Sequence, residues 1–254
     1  MITGLLLTFL QAHALLQLEV SPGVRLISPT LLNQHAKISE VSDNSENDGD
    51  VANEVWEKLD NEDTFSTKVE LMAQLNWMFL RFKPMTLYLG PYLNLSLPSS
   101  SNITGTTGAT STEVTKSTSH FGVTAGGLVR FAPYETGRWG IFVDAYLGLG
   151  KTWVSQSIET SAETHTLSAS GTHLESNFLL GGRYAINKAF NIGLKGGYAR
   201  TLSDSLTVSS KEGTAYETLE EGQRLVVLDE EGNAQGLTVD RSGWLIVFLG
   251  TYRL

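Results

Sequence analysis

Apolar and polar residues alternate along most of this chain. In TLYLGPYLNLSL, residues 86–97, a leucine or proline occupies every second position from Leu87 to Leu97. Polar or small residues occupy the positions between them. Side chains alternate between two faces only in a β-strand, so the segment predicts a strand with one apolar and one polar face. The function depends on which face meets the surroundings.

Seven further segments show the same two-residue period, and none shows a convincing helical period. They are LLQLEVSPGVRLIS, STKVELMAQLNWMFLRF, SHFGVTAGGLVRF, WGIFVDAYLGLGKTW, HLESNFLLGGRYA, FNIGLKGGYA and SGWLIVFLGTYRL. The sequence therefore predicts an all-β fold with eight strands.

The connections between the predicted strands alternate between short and long. Three are short: KPM at 83–85, APYETGR at 132–138 and INKA at 186–189. Four are long and polar, at about 29–65, 98–118, 154–172 and 200–238. This order places all short turns at one end of the sheet, as in outer-membrane barrels with periplasmic turns and extracellular loops. We therefore predict an eight-stranded antiparallel up-and-down transmembrane β-barrel with three short periplasmic turns and four long extracellular loops.

The apolar faces are predicted to meet lipid. If the leucines of residues 86–97 faced inward, the outer surface would be rich in glycine and poor in charge, whereas a soluble surface is about a quarter to a third charged. Large aromatic residues also gather at two levels, as the two interfaces of a bilayer select. The predicted belts contain Trp77, Phe79, Phe131, Trp139, Tyr184, Phe190 and Tyr252 beside the short turns, and Phe121, Trp153, Tyr198 and Trp244 towards the long loops.

The opposite faces carry charges that nearly balance. An eight-stranded barrel has just enough interior for side chains to fill it, and buried charges persist only when they are paired. We therefore predict a polar network that plugs the lumen, and a narrow ion pore is the alternative. Its predicted members are Glu19, Arg25, Lys68, Glu70, Arg130, Asp144, Glu175, Arg183 and Lys195, together with Arg253 from the last strand.

Composition excludes several other classes. The net charge of −9 over 254 residues, with no Lys/Arg cluster, argues against a nucleic-acid partner. The absence of cysteine excludes disulfides, thiolate zinc sites and thiol nucleophiles. No apolar run approaches the roughly 18 to 20 residues of a membrane-spanning helix.

The N-terminal segment MITGLLLTFLQAHA, residues 1–14, has an apolar core and ends in a small-x-small pattern. It predicts an export signal, followed by the barrel at residues 15–254. The alternative is that this apolar run belongs to the mature fold.

Candidate chemistry is sparse. His120 follows Ser119, and His173 lies two residues before Glu175, so a triad near the long-loop end that modifies lipid A is one hypothesis. In the first long loop, DNSENDGD resembles the first half of a calcium loop, but the twelfth position is Val55 instead of glutamate. We therefore interpret this acidic segment as a solvated loop, and we expect no enzymatic activity, no cofactor and no metal.

The pattern of strands and connections resembles the OmpA, OmpX and opacity-protein group of outer-membrane barrels. GGRYAINKAFNIGLKGGYAR, residues 181–200, is similar to the penultimate hairpin of that group. The C-terminal alternation resembles the signal that the barrel-assembly machinery reads, with leucine where the group usually ends in phenylalanine. The resemblance implies a bacterial outer-membrane location, contact with outer-membrane lipid and lipopolysaccharide, and assembly by that machinery.

Three functions are compatible with these observations. The first is a structural and surface-interaction role, in which the barrel anchors extracellular recognition loops for an unknown ligand. The second is a narrow porin-like channel for small solutes. The third is an outer-membrane enzyme that modifies lipid A.

Overall fold

Antiparallel β-strands make up nearly all of the structure. The computed structural model describes residues 16–27, 56–62, 65–107, 112–136, 138–160, 163–213, 219–228 and 234–254. Its strands are β1 (Leu16–Ile27), β2 (Trp56–Glu62), β3 (Thr67–Phe82), β4 (Met85–Thr107), β5 (Thr112–Thr136), β6 (Trp139–Thr160), β7 (Thr164–Ala185), β8 (Phe190–Ser203), β9 (Thr207–Glu212), β10 (Val226–Leu228), β11 (Ala234–Gly236) and β12 (Gly243–Arg253). This part of the chain holds no helix with the length and hydropathy of a membrane span.

Eight of the strands close into a ring. The order around it is β1, β3, β4, β5, β6, β7, β8 and β12, and β12 returns to pair with β1. All eight pairings are antiparallel. Closure leaves the ring without an unpaired edge, because every strand has two hydrogen-bonded neighbours. The prediction of an all-β fold with an eight-stranded antiparallel ring is confirmed.

The two faces of each strand differ as the alternation predicts. In β4, Leu93 is 41% exposed on the outside of the ring, whereas the next residue, Asn94, is 1% exposed on the inside. The leucines of residues 86–97 therefore point outward. The inner face is less uniformly polar than the sequence predicts, because β12 lines the interior with Leu245, Val247 and Leu249.

The three short turns lie at one end of the ring, which we call the short-turn end. They connect β3 to β4, β5 to β6 and β7 to β8, as predicted, but the predicted turn at 132–138 is shorter, because β5 extends to Thr136. In the last of them, the side-chain oxygen of Asn187 accepts 2.8 Å hydrogen bonds from the backbone N–H groups of Ala189 and Phe190. An asparagine that bonds its own following backbone in this way stabilises a tight turn.

At the opposite end, the long-connection end, the strands continue further than predicted. Residues 98–118 and 154–172 are predicted to form loops. These assignments are wrong for most of both segments, because β4 extends to Thr107, β5 starts at Thr112, β6 extends to Thr160 and β7 starts at Thr164. Threonine and valine favour the extended backbone, so the two hairpins continue beyond the outward apolar band.

The other two long connections also contain strands. In the fourth, β10 and β11 pair with each other in antiparallel orientation, and residues 229–233 between them lie outside the described residues. The same connection supplies β9, which pairs with β7. In the first, β2 pairs with β4, so its end is strand and not solvated loop. The predicted export signal at residues 1–14 and the acidic stretch DNSENDGD lie outside the described residues.

An apolar core fills the interior at the long-connection end. Inward side chains from β4, β5, β6 and β7 contact side chains of the fourth connection, which folds over this end of the ring. The cluster consists of Ile27, Phe65, Ile103, Val114, Val154, Ile158, Leu167, Ala169, Leu206, Val208, Leu219, Leu225, Leu237 and Val239. The fourth connection is thus held by burial of its own leucines.

Candidate functional site

A cluster of charged side chains occupies the middle of the ring, below the apolar core. Arg130 and Asp144 are direct partners across β5 and β6, and Arg130 Nε lies 2.6 Å from Asp144 Oδ1. Arg130 Nη1 also lies 2.8 Å from Glu19 Oε2. Lys195 completes the cluster at 2.7 Å from Glu19 Oε1, and its Nζ donates a 2.6 Å hydrogen bond to Tyr146. We call these four charged residues the lower ion cluster.

A second cluster lies nearer the long-connection end. Arg25 contacts two carboxylates, with Nη2 2.8 Å from Glu70 and Nη1 3.1 Å from Glu175. Asn94 donates hydrogen bonds to both carboxylates, at 3.1 and 3.2 Å. Arg241 Nη2 lies 3.5 Å from Glu175. These residues form the upper ion cluster, which joins β1, β3, β4 and β7 to the residues just before β12.

The remaining predicted lumen residues lie at the margins of these clusters. Lys68 is buried and donates a 2.6 Å hydrogen bond to the backbone carbonyl of His120. Arg183 lies near the short-turn end, where it donates to Gln17 at 2.8 Å and pairs with Glu135. Arg253 lies at the same end, 3.8 Å from Glu135. The structure thus places all ten predicted charges in the interior or at its ends, and brings seven of them into the two clusters.

Arg241 is an interior residue that the sequence pattern does not predict. It belongs to the fourth connection, yet its side chain is buried inside the ring. Its Nη1 donates a 2.9 Å hydrogen bond to Ser96, and its backbone carbonyl accepts a 3.1 Å bond from Arg25. Gly122 provides the space, since a Cβ atom there would collide with the guanidinium. A lone arginine beside a strand gives no periodic signal, so only the fold identifies it.

The two candidate histidines are buried in the interior. His173 Nε2 is 2.8 Å from Thr124 Oγ1, and the same ring nitrogen contacts the Arg241 guanidinium. His120 packs edge-on against Phe65, and neither of its ring nitrogens has a hydrogen-bond partner among the described residues. Within the same residues, no group of three or more histidine, aspartate or glutamate side chains could hold a metal ion.

The outer face carries the predicted aromatic residues. Most are exposed, including Trp77, Phe79, Phe131, Trp139, Phe190, Trp244 and Tyr252, whereas Trp153 and Tyr184 are half-buried. Several contact each other across neighbouring strands. Phe121 stacks on Trp153 with ring centroids 4.8 Å apart, and Trp139 contacts Tyr184 at the same separation. The first pair lies towards the long-connection end and the second at the short-turn end, so the aromatic residues stand at two levels.

Solved structures with a similar arrangement of strands exist. The outer membrane protein OprG from Pseudomonas aeruginosa is 12% identical, with a TM-score of 0.43 over 95% of this chain and 96% of that chain. Ail, the attachment invasion locus protein of Yersinia pestis, is 8% identical, with a TM-score of 0.35 over 94% and 97%. The outer membrane protease OmpT from Escherichia coli is 6% identical, with a TM-score of 0.44 over 96% and 98%.

These likenesses concern overall architecture, and at such identities and TM-scores they carry no argument about function. No family model and no curated protein matches the sequence.

Proposed function

We propose that this protein is a bacterial outer-membrane β-barrel with a structural and surface-interaction role. In this proposal the ring spans the bilayer, its interior is sealed, and the long-connection end is displayed outside the cell to contact a ligand. Along β5 and β6 the outward side chains change from polar at the long-connection end to apolar nearer the short turns, and this change is the observation that carries the proposal.

Along β6 the outward side chains are apolar from Trp139 to Leu149, Lys151 follows, and Trp153 stands at the upper aromatic level. Beyond Trp153 the apolar residues change face and occupy the inward positions. Val154 and Ile158 point inward, whereas the outward positions hold Ser155, Ser157 and Glu159. An outer surface in water requires polar side chains, and one in lipid requires apolar side chains. The inversion is therefore expected at the level where the ring leaves the bilayer.

The height of the apolar band agrees with a membrane. In β5, ten residue steps separate Phe121 at the upper aromatic level from Phe131 at the lower one. At roughly 3.4 Å per residue and a tilt of about 40°, these steps span about 26 Å. The outward apolar band of outer-membrane barrels is about 25 Å tall. This agreement supports a bilayer as the environment of the band.

The interior supports a sealed barrel in preference to a channel. An ion that entered the middle of the ring would have to separate charged groups 2.6 to 2.8 Å apart in the lower ion cluster. At the long-connection end it would then meet the apolar core. The lower ion cluster and the apolar core both consist of described residues. An eight-stranded ring has just enough interior for side chains to fill it, so these two layers leave no open path for an ion.

The interior also disfavours an enzyme that modifies lipid A. His120 and His173 are at most 2% exposed and point into the ring, away from the outer face that would meet a lipid. The neighbours of His173 are Thr124, Thr152 and Arg241. Both ring nitrogens of His173 are thus engaged by interior groups, and neither is directed at a substrate outside the ring.

The sealed interior predicts a null result in conductance measurements. Purified protein reconstituted into planar lipid bilayers is expected to give no stable current steps above those of protein-free bilayers with the same detergent. The reason is that the lower ion cluster and the apolar core both block the path. Reproducible steps whose cation selectivity falls in Asp144→Asn would favour the porin-like alternative and contradict the sealed barrel.

A further inference from the structure

The short-turn end of the ring contains a cavity of about 250 Å³. It lies among the ends of β3, β5, β6, β7, β8 and β12 and the turn between β5 and β6. Six of its lining residues matter here: Arg81, Arg138, Arg183, Arg253, Glu135 and Asn191. Four guanidinium groups therefore face one carboxylate.

The surroundings of the cavity are also basic. The chain as a whole has a net charge of −9. At the short-turn end, however, residues 81–86, 132–136, 138–139, 183–191 and 252–254 contain six basic side chains and one acidic side chain, Glu135. The basic residues are Arg81, Lys83, Arg138, Arg183, Lys188 and Arg253. A concave surface lined by one sign of charge concentrates ions of the other sign.

Glu135 offsets only part of this positive charge, because its single carboxylate is engaged at one side of the cavity. It pairs with Arg183 and accepts a 2.8 Å hydrogen bond from the hydroxyl of Tyr88. Arg253 is 3.8 Å away from it. Among the described residues, Arg81 and Arg138 have no carboxylate within ion-pair distance.

Two buried donors at the cavity lack an acceptor. Asn191 is 1% exposed, and its Nδ2 has no hydrogen-bond partner among the described residues. The same is true of Arg253 Nε. Buried donors without an acceptor are costly, and most buried polar groups in proteins are therefore paired. Asn191 and Arg253 line the cavity together with Arg81 and Arg138, whose guanidinium groups have no carboxylate within ion-pair distance among the described residues. One anion bound in the cavity would therefore accept hydrogen bonds from the two unpaired donors and offset the positive charge of the guanidinium groups.

We propose that the cavity at the short-turn end binds a small oxyanion, a carboxylate or a phosphate group. Guanidinium groups bind both through paired, charge-assisted hydrogen bonds. The volume is below the 300 to 1,000 Å³ that is typical of sites for drug-sized ligands. It therefore suits one oxyanion group, either as a free ion or as the phosphate of a lipid headgroup.

Isothermal titration calorimetry on the full chain in maltoside micelles, which contain no phosphate, tests this proposal. The probes are inorganic phosphate, succinate and dihexanoylphosphatidylglycerol. Saturable binding of phosphate or succinate is expected, and the double variant Arg81→Gln/Arg138→Gln should weaken it at least about tenfold, since two charge-assisted contacts are lost. Arg200→Gln, which removes an exposed arginine from the same molecule far from the cavity, should leave the affinity unchanged.

The probes separate the two sources of the oxyanion. Binding of the lipid alone, with the same sensitivity to the double variant, would assign the site to a headgroup phosphate. The proposal is wrong if none of the three probes binds, or if the double variant and Arg200→Gln bind them equally. Both substituted side chains are exposed, so the variants are expected to fold, and circular dichroism verifies this.

Discussion

Glu19→Ala is expected to lower the free energy of unfolding by about 3 to 5 kcal/mol. Glu19 is fully buried, and its two carboxylate oxygens contact Arg130 at 2.8 Å and Lys195 at 2.7 Å. Among the described residues, its removal leaves Asp144, at 3.4 Å, as the only carboxylate within ion-pair distance of Lys195. Truncation of one partner of a buried ion pair is costly because the other charge stays desolvated without compensation. Urea titration of the protein refolded into lipid vesicles measures the effect.

Two further variants separate the ion cluster from general damage. Glu113→Ala removes an exposed carboxylate of β5 and should change the free energy of unfolding by less than about 0.5 kcal/mol. In Glu19→Gln/Lys195→Met, one negative and one positive charge leave the cluster together, so the double variant should be more stable than Glu19→Ala. A Glu19→Ala protein as stable as the wild type would show that the lower ion cluster does not hold the ring together.

Leu147→Arg is expected to have the second largest effect, a loss of about 2 to 4 kcal/mol. Leu147 is 58% exposed on the outer face of β6, near the middle of the stretch between Trp139 and Trp153. Arginine on the lipid face of a barrel costs most at the bilayer midplane, and the cost falls to about 0 to 1 kcal/mol near the interface. Reversible folding into lipid vesicles, followed by denaturant titration, gives the free energies.

Ser155→Arg is the matched control for Leu147→Arg. It introduces the same side chain on the same face of the same strand, two residues beyond Trp153. If the outer face leaves the bilayer at that level, Ser155→Arg should cost no more than about 1 kcal/mol. Equal costs at the two positions would contradict a bilayer boundary between them.

Much of the ring was predictable from sequence, because a strand imposes a two-residue period on any chain with two unlike environments. Along β6, the outward Leu147 and Leu149 and the inward Asp144 and Tyr146 show this directly. The extension of β6 was missed because its apolar residues change face after Trp153. The two-residue alternation of apolar and polar residues continues beyond Trp153, but its apolar residues lie on the inner face instead of the outer face. The serine-rich composition of this stretch also resembles that of a loop.

The interior contacts were predictable only in part. Alternation assigns Arg25 and Glu175 to the inner face, but their 3.1 Å contact joins residues 150 positions apart and depends on the closure of the ring. Arg241 belongs to no periodic segment, so its place in the upper ion cluster depends on the path of the fourth connection. The cavity at the short-turn end likewise assembles from six strand ends and one turn, each of which supplies one or two residues without a local motif.

The proposed function requires a ring that spans the outer membrane with its long-connection end outside the cell, and cysteine accessibility tests this requirement most directly. The chain has no cysteine, so Glu221→Cys in the fourth connection and Lys188→Cys in a short turn each introduce a single thiol, both at exposed positions. With a maleimide that does not cross membranes, Glu221→Cys should be modified in intact cells, and Lys188→Cys only after the outer membrane is permeabilised. Modification of Lys188→Cys in intact cells, with Glu221→Cys protected or equally reactive, would contradict the proposed orientation and the spanning barrel.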